Sequence, residues 1–242
     1  MRAASARAAL VGMAVGCLAG CDAGRSTASV VDFAVSADAG GRIEFTARTI
    51  ALPGYNFALS PGDYNSDWRV DLALLTESAH GAPTRAGVLL GDGAGGFSAP
   101  AKVEDAGLDA AYALASDLDG DHRLDLAVSL RAARMVRVLP GLGDGRFAAA
   151  RDLPVSGTPD GLAAADLDGD GAVDLVVADH ASGIGLLPGR GSATLYSFDS
   201  RFGIATGDFD GDGRTDIAIP YEDGIAVLMN TPRRFTIPVP TK

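Results

Sequence analysis

Four nine-residue segments of this chain align without a gap, and they constrain its fold more than any other feature. They start at Asp63, Asp117, Asp166 and Asp208, which lie 54, 49 and 42 residues apart. Positions 1, 3, 5 and 9 carry an oxygen-bearing side chain in every copy. These are Asp63, Asn65, Asp67 and Asp71 in copy one, and Asp117, Asp119, Asp121 and Asp125 in copy two. Copy three has Asp166, Asp168, Asp170 and Asp174, and copy four has Asp208, Asp210, Asp212 and Asp216. A recurrence at this spacing marks one supersecondary unit stacked several times.

The residue types point to a cation. Carboxylates this close repel strongly unless a positive ion sits among them. Calcium takes six to eight oxygens at about 2.3–2.6 Å. A tight loop aims alternate side chains at one centre and adds a main-chain carbonyl near position 7. The sixteen residues are therefore candidate Ca2+ ligands. Zinc prefers His or Cys, which the ligand positions lack, and magnesium usually keeps several of its waters. An EF-hand needs an acid at position 12. That position holds Leu74, Val128, Val177 and Ile219, so the EF-hand is rejected and position 9 is expected to supply the last carboxylate.

The flanks read as strands. Leu72 to Leu75, Leu126 to Ser129, Leu175 to Ala178 and Ile217 to Pro220 alternate bulky and small residues after each loop. Segments rich in small residues precede each loop, such as Tyr112 to Ala115 and Gly161 to Ala164, and suit crowded inner strands. Gly87 to Leu90 and Val136 to Leu139 lead into Gly-rich turns, and an aromatic recurs at Phe97, Phe147, Phe198 or Tyr196, and Phe235. Four strands per unit of about 40–55 residues is the size of a propeller blade. Phe45 extends the pattern backwards, so residues 30–50 look like two strands of an earlier blade without its own loop.

The nine-residue pattern, followed by a strand, Gly-Asp-Gly and Phe, resembles the FG-GAP or VCBS repeat. That resemblance implies an all-β propeller of four-stranded blades over residues 30–242 and calcium held by the sixteen loop residues. About five blades are expected, four with calcium loops and one incomplete. A partial propeller completed by oligomerisation is an alternative. At position 6 the family prefers Gly, because the chain turns there through positive φ. Gly171 and Gly213 fit, His122 is tolerated, and Trp68 departs, as does Asn65 at position 3 of the same copy.

The start of the chain reads as an address. Arg2 and Arg7 precede fourteen uncharged residues, Ala8 to Cys21, too few to span a bilayer, which needs about 20. Leu18-Ala19-Gly20-Cys21 resembles a bacterial lipobox, which implies cleavage after residue 20 and a diacylglycerol on the Cys21 thiol. An ordinary secretory signal is the alternative. The expected organisation is a lipoprotein signal at 1–20, a polar tether at 21–29 and the propeller thereafter. The expected location is the bacterial cell envelope, anchored by lipid and facing the periplasm or the exterior.

Composition narrows the function. The net charge is −11, with 31 acids against 20 bases, which argues against a nucleic-acid partner. Fifteen of those acids lie in the loops, leaving a nearly balanced body. Cys17 and Cys21 are the only cysteines, which excludes a disulfide scaffold. Gly91 to Gly96 fits a dinucleotide fingerprint by letter, but Phe97-Ser98-Ala99-Pro100 is no helix start, so a hairpin turn is the better reading. His80, His122 and His180 join no nucleophile pattern, and Arg131, Arg134 and Arg137 read as a solvated stretch. Trp68 is either a plug against a neighbouring blade or a platform for a sugar ring. The leading expectation is a non-enzymatic binding or adhesion module with structural calcium and a protein or glycan ligand. A propeller enzyme acting on polysaccharide is the alternative.

Overall fold

The computed structural model describes residues 52–179 continuously, together with 36–37, 43–44, 50, 183–187, 189, 194–196, 203–221, 224–231 and 234–236. The expected leader, the tether with Cys21, Phe45, His180 and Phe198 lie outside the described residues. Among the described residues there are strands and no helix.

Strands β1 (Ser36–Ala37) and β2 (Ile43–Glu44) pair antiparallel within the stretch expected to hold two strands. The first full sheet contains β3 (Tyr55–Gly62), β4 (Asp71–Glu77), β5 (Thr84–Leu89) and β6 (Val103–Gly107). The second contains β7 (Ala110–Ser116), β8 (Asp125–Leu130), β9 (Met135–Leu139) and β10 (Arg151–Pro154). The third contains β11 (Pro159–Ala165), β12 (Asp174–Asp179), β13 (Gly183–Leu187) and β14 (Thr194–Tyr196). The fourth contains β15 (Ala205–Gly207), β16 (Asp216–Tyr221), β17 (Gly224–Thr231) and β18 (Arg234–Thr236). Each is an antiparallel meander in which every strand pairs with its sequence neighbour. The recurrent aromatics divide into two groups. Phe97 and Phe147 form isolated bridges with Gly91 and Gly141 ahead of the fourth strand, whereas Tyr196 and Phe235 lie within it.

The sheets are stacked, and alternation along the second strands shows how. Side chains of a strand point to opposite faces with period two. Leu126, Val128 and Leu130 of β8 face Ala73, Leu75 and Val88 of the first sheet. Ala127, between them, joins Val136, Val138, Leu175 and Val177 in the core between the second and third sheets. Val176 in turn packs with Ile184, Ile217, Ile219 and Leu228 between the third and fourth. A strand covered on both faces has no polar side to show, which is why β8 and β12 are buried along their whole length.

The first strands pack side by side, β3 on β7, β7 on β11 and β11 on β15. Their small residues allow this approach, and Ser60 Oγ accepts the Ala115 N–H at 2.8 Å across the gap. Among the described residues, the first and fourth sheets make no packing contact comparable to these. Leu59 on the first sheet is 52% exposed and Ile225 on the fourth is 71% exposed.

Leu126 is fully buried between two sheets. Leu126→Ala should cost about 2–5 kcal/mol, whereas Ile225→Ala should stay within about 0.5 kcal/mol. Urea unfolding of the two variants reads both values.

Candidate metal centres

Each nine-residue loop joins the first two strands of its sheet, and position 9 is the first residue of the second strand. Asp71, Asp125, Asp174 and Asp216 stand opposite Gly62, Ser116, Ala165 and Gly207, the residues immediately before position 1. The loop is thus closed by a strand pair at its neck.

Inside the neck the chain turns on its own side chains. In copy two, Asp117 Oδ1 accepts the N–H groups of Gly120 and Asp121 at 2.8 and 3.2 Å. Asp117 Oδ2 accepts that of His122 at 2.9 Å. Asp119 Oδ1 accepts the Asp121 N–H at 3.1 Å, and Asp121 Oδ1 accepts the Arg123 N–H at 2.9 Å. Copy four repeats this ladder from Asp208, Asp210 and Asp212. Such Asx turns suit Asp better than Glu, because the short side chain reaches the backbone two residues on. They hold positive φ at two positions of every loop. Position 4 is Ser66, Gly120, Gly169 and Gly211, and position 6 is Trp68, His122, Gly171 and Gly213. Trp68 therefore adopts the left-handed conformation, at φ 67°, despite its bulk.

Position 9 has a second role that the sequence pattern did not reveal. Asp71, Asp125, Asp174 and Asp216 are all buried, and each carboxylate accepts two backbone N–H groups. One Oδ2 bond comes from position 2, from Tyr64, Leu118, Leu167 and Phe209 at 2.9–3.0 Å. The Oδ1 bond comes from just beyond the third strand or its end, from Gly91, Gly141, Gly189 and Asn230 at 2.7–2.8 Å. At Gly141 a Cβ would overlap the Leu124 carbonyl oxygen, and Gly91 meets Val70 in the same way. Copy four replaces that glycine with Asn230, whose Nδ2 donates to the Thr215 carbonyl at 3.1 Å and to Leu167 O in the loop of copy three at 2.6 Å. The donors are backbone groups, so no side-chain letter signals them.

The arrangement gathers oxygens. Carboxylate oxygens of Asp117, Asp119 and Asp125 lie within 4.8 Å of one another, as do those of Asp166, Asp168 and Asp174, and of Asp208, Asp210 and Asp216. An all-oxygen cluster of this kind fits a hard cation such as calcium. The predicted position-5 ligands are not drawn into these groups. Asp121 and Asp212 pair instead with Arg123 and Arg214, and Asp67 lies 3.6 Å from Arg69. Asp63, Asn65 and Asp71 of copy one form the same ladder and neck, but Asn65 leaves this set with two carboxylates. The Arg123 hydrogen bond lowers the Asp121 pKa, and the Gly213 N–H lowers that of Asp208. Burial raises that of Asp125 against the two N–H bonds it accepts. A cation at that oxygen would favour the ionised form.

The remaining sequence candidates resolve simply. The Gly91 to Gly96 segment is a hairpin turn closed by the Asp92 N–H on Gly96 O at 2.9 Å, with no helix after it. Arg137 holds Asp152 with two hydrogen bonds, at 2.7 and 2.9 Å, and Arg131 meets Asp160 at 2.6 Å, so these two are paired rather than merely solvated. His80 and His122 are exposed. Trp68 is 95% exposed, so it plugs no neighbouring sheet.

The position-9 clamp of copy one matches that of copy four. Asp71 is as buried and as fully hydrogen-bonded as Asp216. With metal chelated, Asp71→Ala and Asp216→Ala should destabilise by similar amounts, each about 2–4 kcal/mol from two orphaned buried N–H groups. Chemical denaturation in EGTA measures both.

Residues 117–177 match the model of an FG-GAP-like repeat, and residues 202–229 match the FG-GAP repeat. These matches span loops two to four and leave out loop one, with its Asn65 and Trp68. No curated protein matches the sequence. Among solved structures, the chain is similar to an Agrocybe aegerita lectin described as recognising non-reducing terminal N-acetylglucosamine. The TM-score is 0.57 at 16% identity, over 88% of this chain and 64% of the lectin. It is also similar, at a TM-score of 0.43 and 21% identity, to the V. cholerae biofilm matrix protein Bap1, over 74% of this chain and 30% of that one. The chain therefore spans less than two thirds of either. The lectin supports the fold, and FG-GAP repeats are present over copies two to four.

Proposed function

We propose that the chain is a calcium-stabilised β-propeller, anchored by lipid at Cys21 outside the cytoplasm, that binds a protein or glycan ligand rather than transforming it. The observation that carries this reading is the recurrence of one carboxylate cluster at the equivalent connection of three stacked sheets. A cluster repeated with the scaffold belongs to the scaffold's stability, whereas a catalytic set is built once. The FG-GAP matches support calcium as the ion, and the lectin likeness supports a binding role. The lipobox resemblance supports the anchor and a position in the bacterial envelope.

In this reading Asp117, Asp119 and Asp125, with their equivalents in copies three and four, hold the ion. Asp121, Asp170 and Asp212 complete its shell. Exposed Asp–Arg pairs are worth at most about 1 kcal/mol, so a divalent ion outcompetes Arg123 and Arg214 for them. Copy one, with Asp63, Asn65, Asp67 and Asp71, is the weakest of the four sites.

Extracellular calcium modules bind with Kd of about 10⁻⁴–10⁻³ M. At about 1 mM calcium, each site then adds roughly 0.4–1.4 kcal/mol. Three sites should raise the melting temperature by several degrees over the protein in EGTA; no shift would overturn the calcium reading. Asp119→Ala and Asp210→Ala together should remove most of that increment and leave the melting point in EGTA little changed, while Asn65→Ala should leave the increment intact. A glycan panel assayed for retention and for released product separates a binding module from an enzyme acting on polysaccharide.

A further inference from the structure

Loop one differs from the other three where it faces solvent. It keeps the ladder and the neck, yet it gives up an acid at Asn65 and places Trp68 at the position occupied by His122, Gly171 and Gly213. That Trp costs the fold twice. Its backbone is held at φ 67°, a conformation glycine adopts freely and a bulky residue does not. Its ring is 95% exposed and packs in no core. A large indole in water at a strained position buries almost nothing on folding, and its flat face is open to a ligand.

The surroundings fit one class of ligand. Trp68 borders an open cleft of about 580 Å³, also lined by Arg69, Val70, Asp92 and Phe97. Asp63 Oδ2 accepts the Trp68 N–H at 2.8 Å and fixes the residue that carries the ring. The Arg69 stem crosses to the Gly91–Gly96 hairpin, where Gly93 lets it approach closely. Asp92, at the mouth of that hairpin, is itself ordered by accepting the Ala94 and Gly96 N–H groups with Oδ1, at 2.7 and 2.9 Å. One wall therefore presents a flat apolar ring, and the neighbouring walls present a guanidinium and a carboxylate. A pyranose has the matching chemistry: an apolar face of C–H groups to lie on an indole, and hydroxyls that both accept from Arg and donate to a carboxylate.

We infer that the cleft between loop one and the Gly91–Gly96 hairpin is a glycan subsite, with Trp68 as the stacking platform and Arg69 and Asp92 as its hydrogen-bonding groups. The inference rests on the binding-module reading and sharpens it, because it gives that module one saccharide site on the first sheet alone.

The test uses a property of the chain. Trp68 is its only tryptophan, so indole emission, excited at wavelengths that the five tyrosines do not absorb, reports this cleft. The full chain, in calcium, is titrated with N-acetylglucosamine, galactose, mannose and glucuronic acid as their methyl pyranosides. At least one should shift or quench the emission saturably, and Arg69→Ala and Asp92→Ala should each weaken that response about tenfold or more. Trp68→Gly should melt no lower than the parent, since it relieves the positive φ, yet should lose retention on beads bearing the responsive sugar. His122→Gly should keep it. Unchanged emission with all four sugars while the chain still binds other glycans or a protein would overturn this site and leave the binding-module reading standing. Absence of any binding to glycan or protein would overturn both.

Discussion

The structure depends on a buried carboxylate that accepts two backbone hydrogen bonds. In each unit the position-9 aspartate begins the second strand, takes an N–H from the start of its own loop and takes another from beyond or at the end of the third strand. It therefore ties the loop, the central strand and the following turn at one point. A charge buried in this way is tolerable because N–H donors satisfy both oxygens. Removing it would leave those donors without partners at the most enclosed point of the unit.

That anchor determines where the other acids go. With the neck closed, the short loop reverses direction on Asx turns, and each carboxylate of positions 1, 3 and 5 caps an N–H a few residues ahead. In copies two to four the carboxylate oxygens of positions 1, 3 and 9 then converge. Backbone geometry and cation binding are thus served by the same side chains, which explains why all fifteen acids at the loop positions are Asp and none is Glu. Stacking the units side by side repeats the oxygen cluster at equivalent connections, while the apolar residues between the sheets supply the cohesion.

Much of this was legible in the sequence. The loops were found by their letters, and the strands on either side by alternation, because a strand covered on both faces reads as Leu126-Ala127-Val128 and a loop of Asx turns reads as Asp-x-Asp-Gly-Asp. Two strands were expected within residues 30–50, and β1 and β2 pair there. Three things were not. The clamp of position 9 engages backbone donors, which carry no sequence label. The Asp–Arg pairing at position 5 depends on side-chain direction, not on spacing. The exposure of Trp68 depends on what lies across from it, and a residue type alone cannot say whether a neighbour arrives.

The sequence by itself determined the repeat, the all-β meander of each unit and the chemical character of the loops, because these follow from periodicity and from short-range hydrogen bonding within about a dozen residues. Only the tertiary structure decided which oxygens of each loop converge, which aspartates are consumed by the scaffold, and that the ring of Trp68 stands in solvent beside Arg69 and Asp92. Those outcomes are set by residues that meet across turns and between stacked sheets, where distance along the chain carries no information about distance in space.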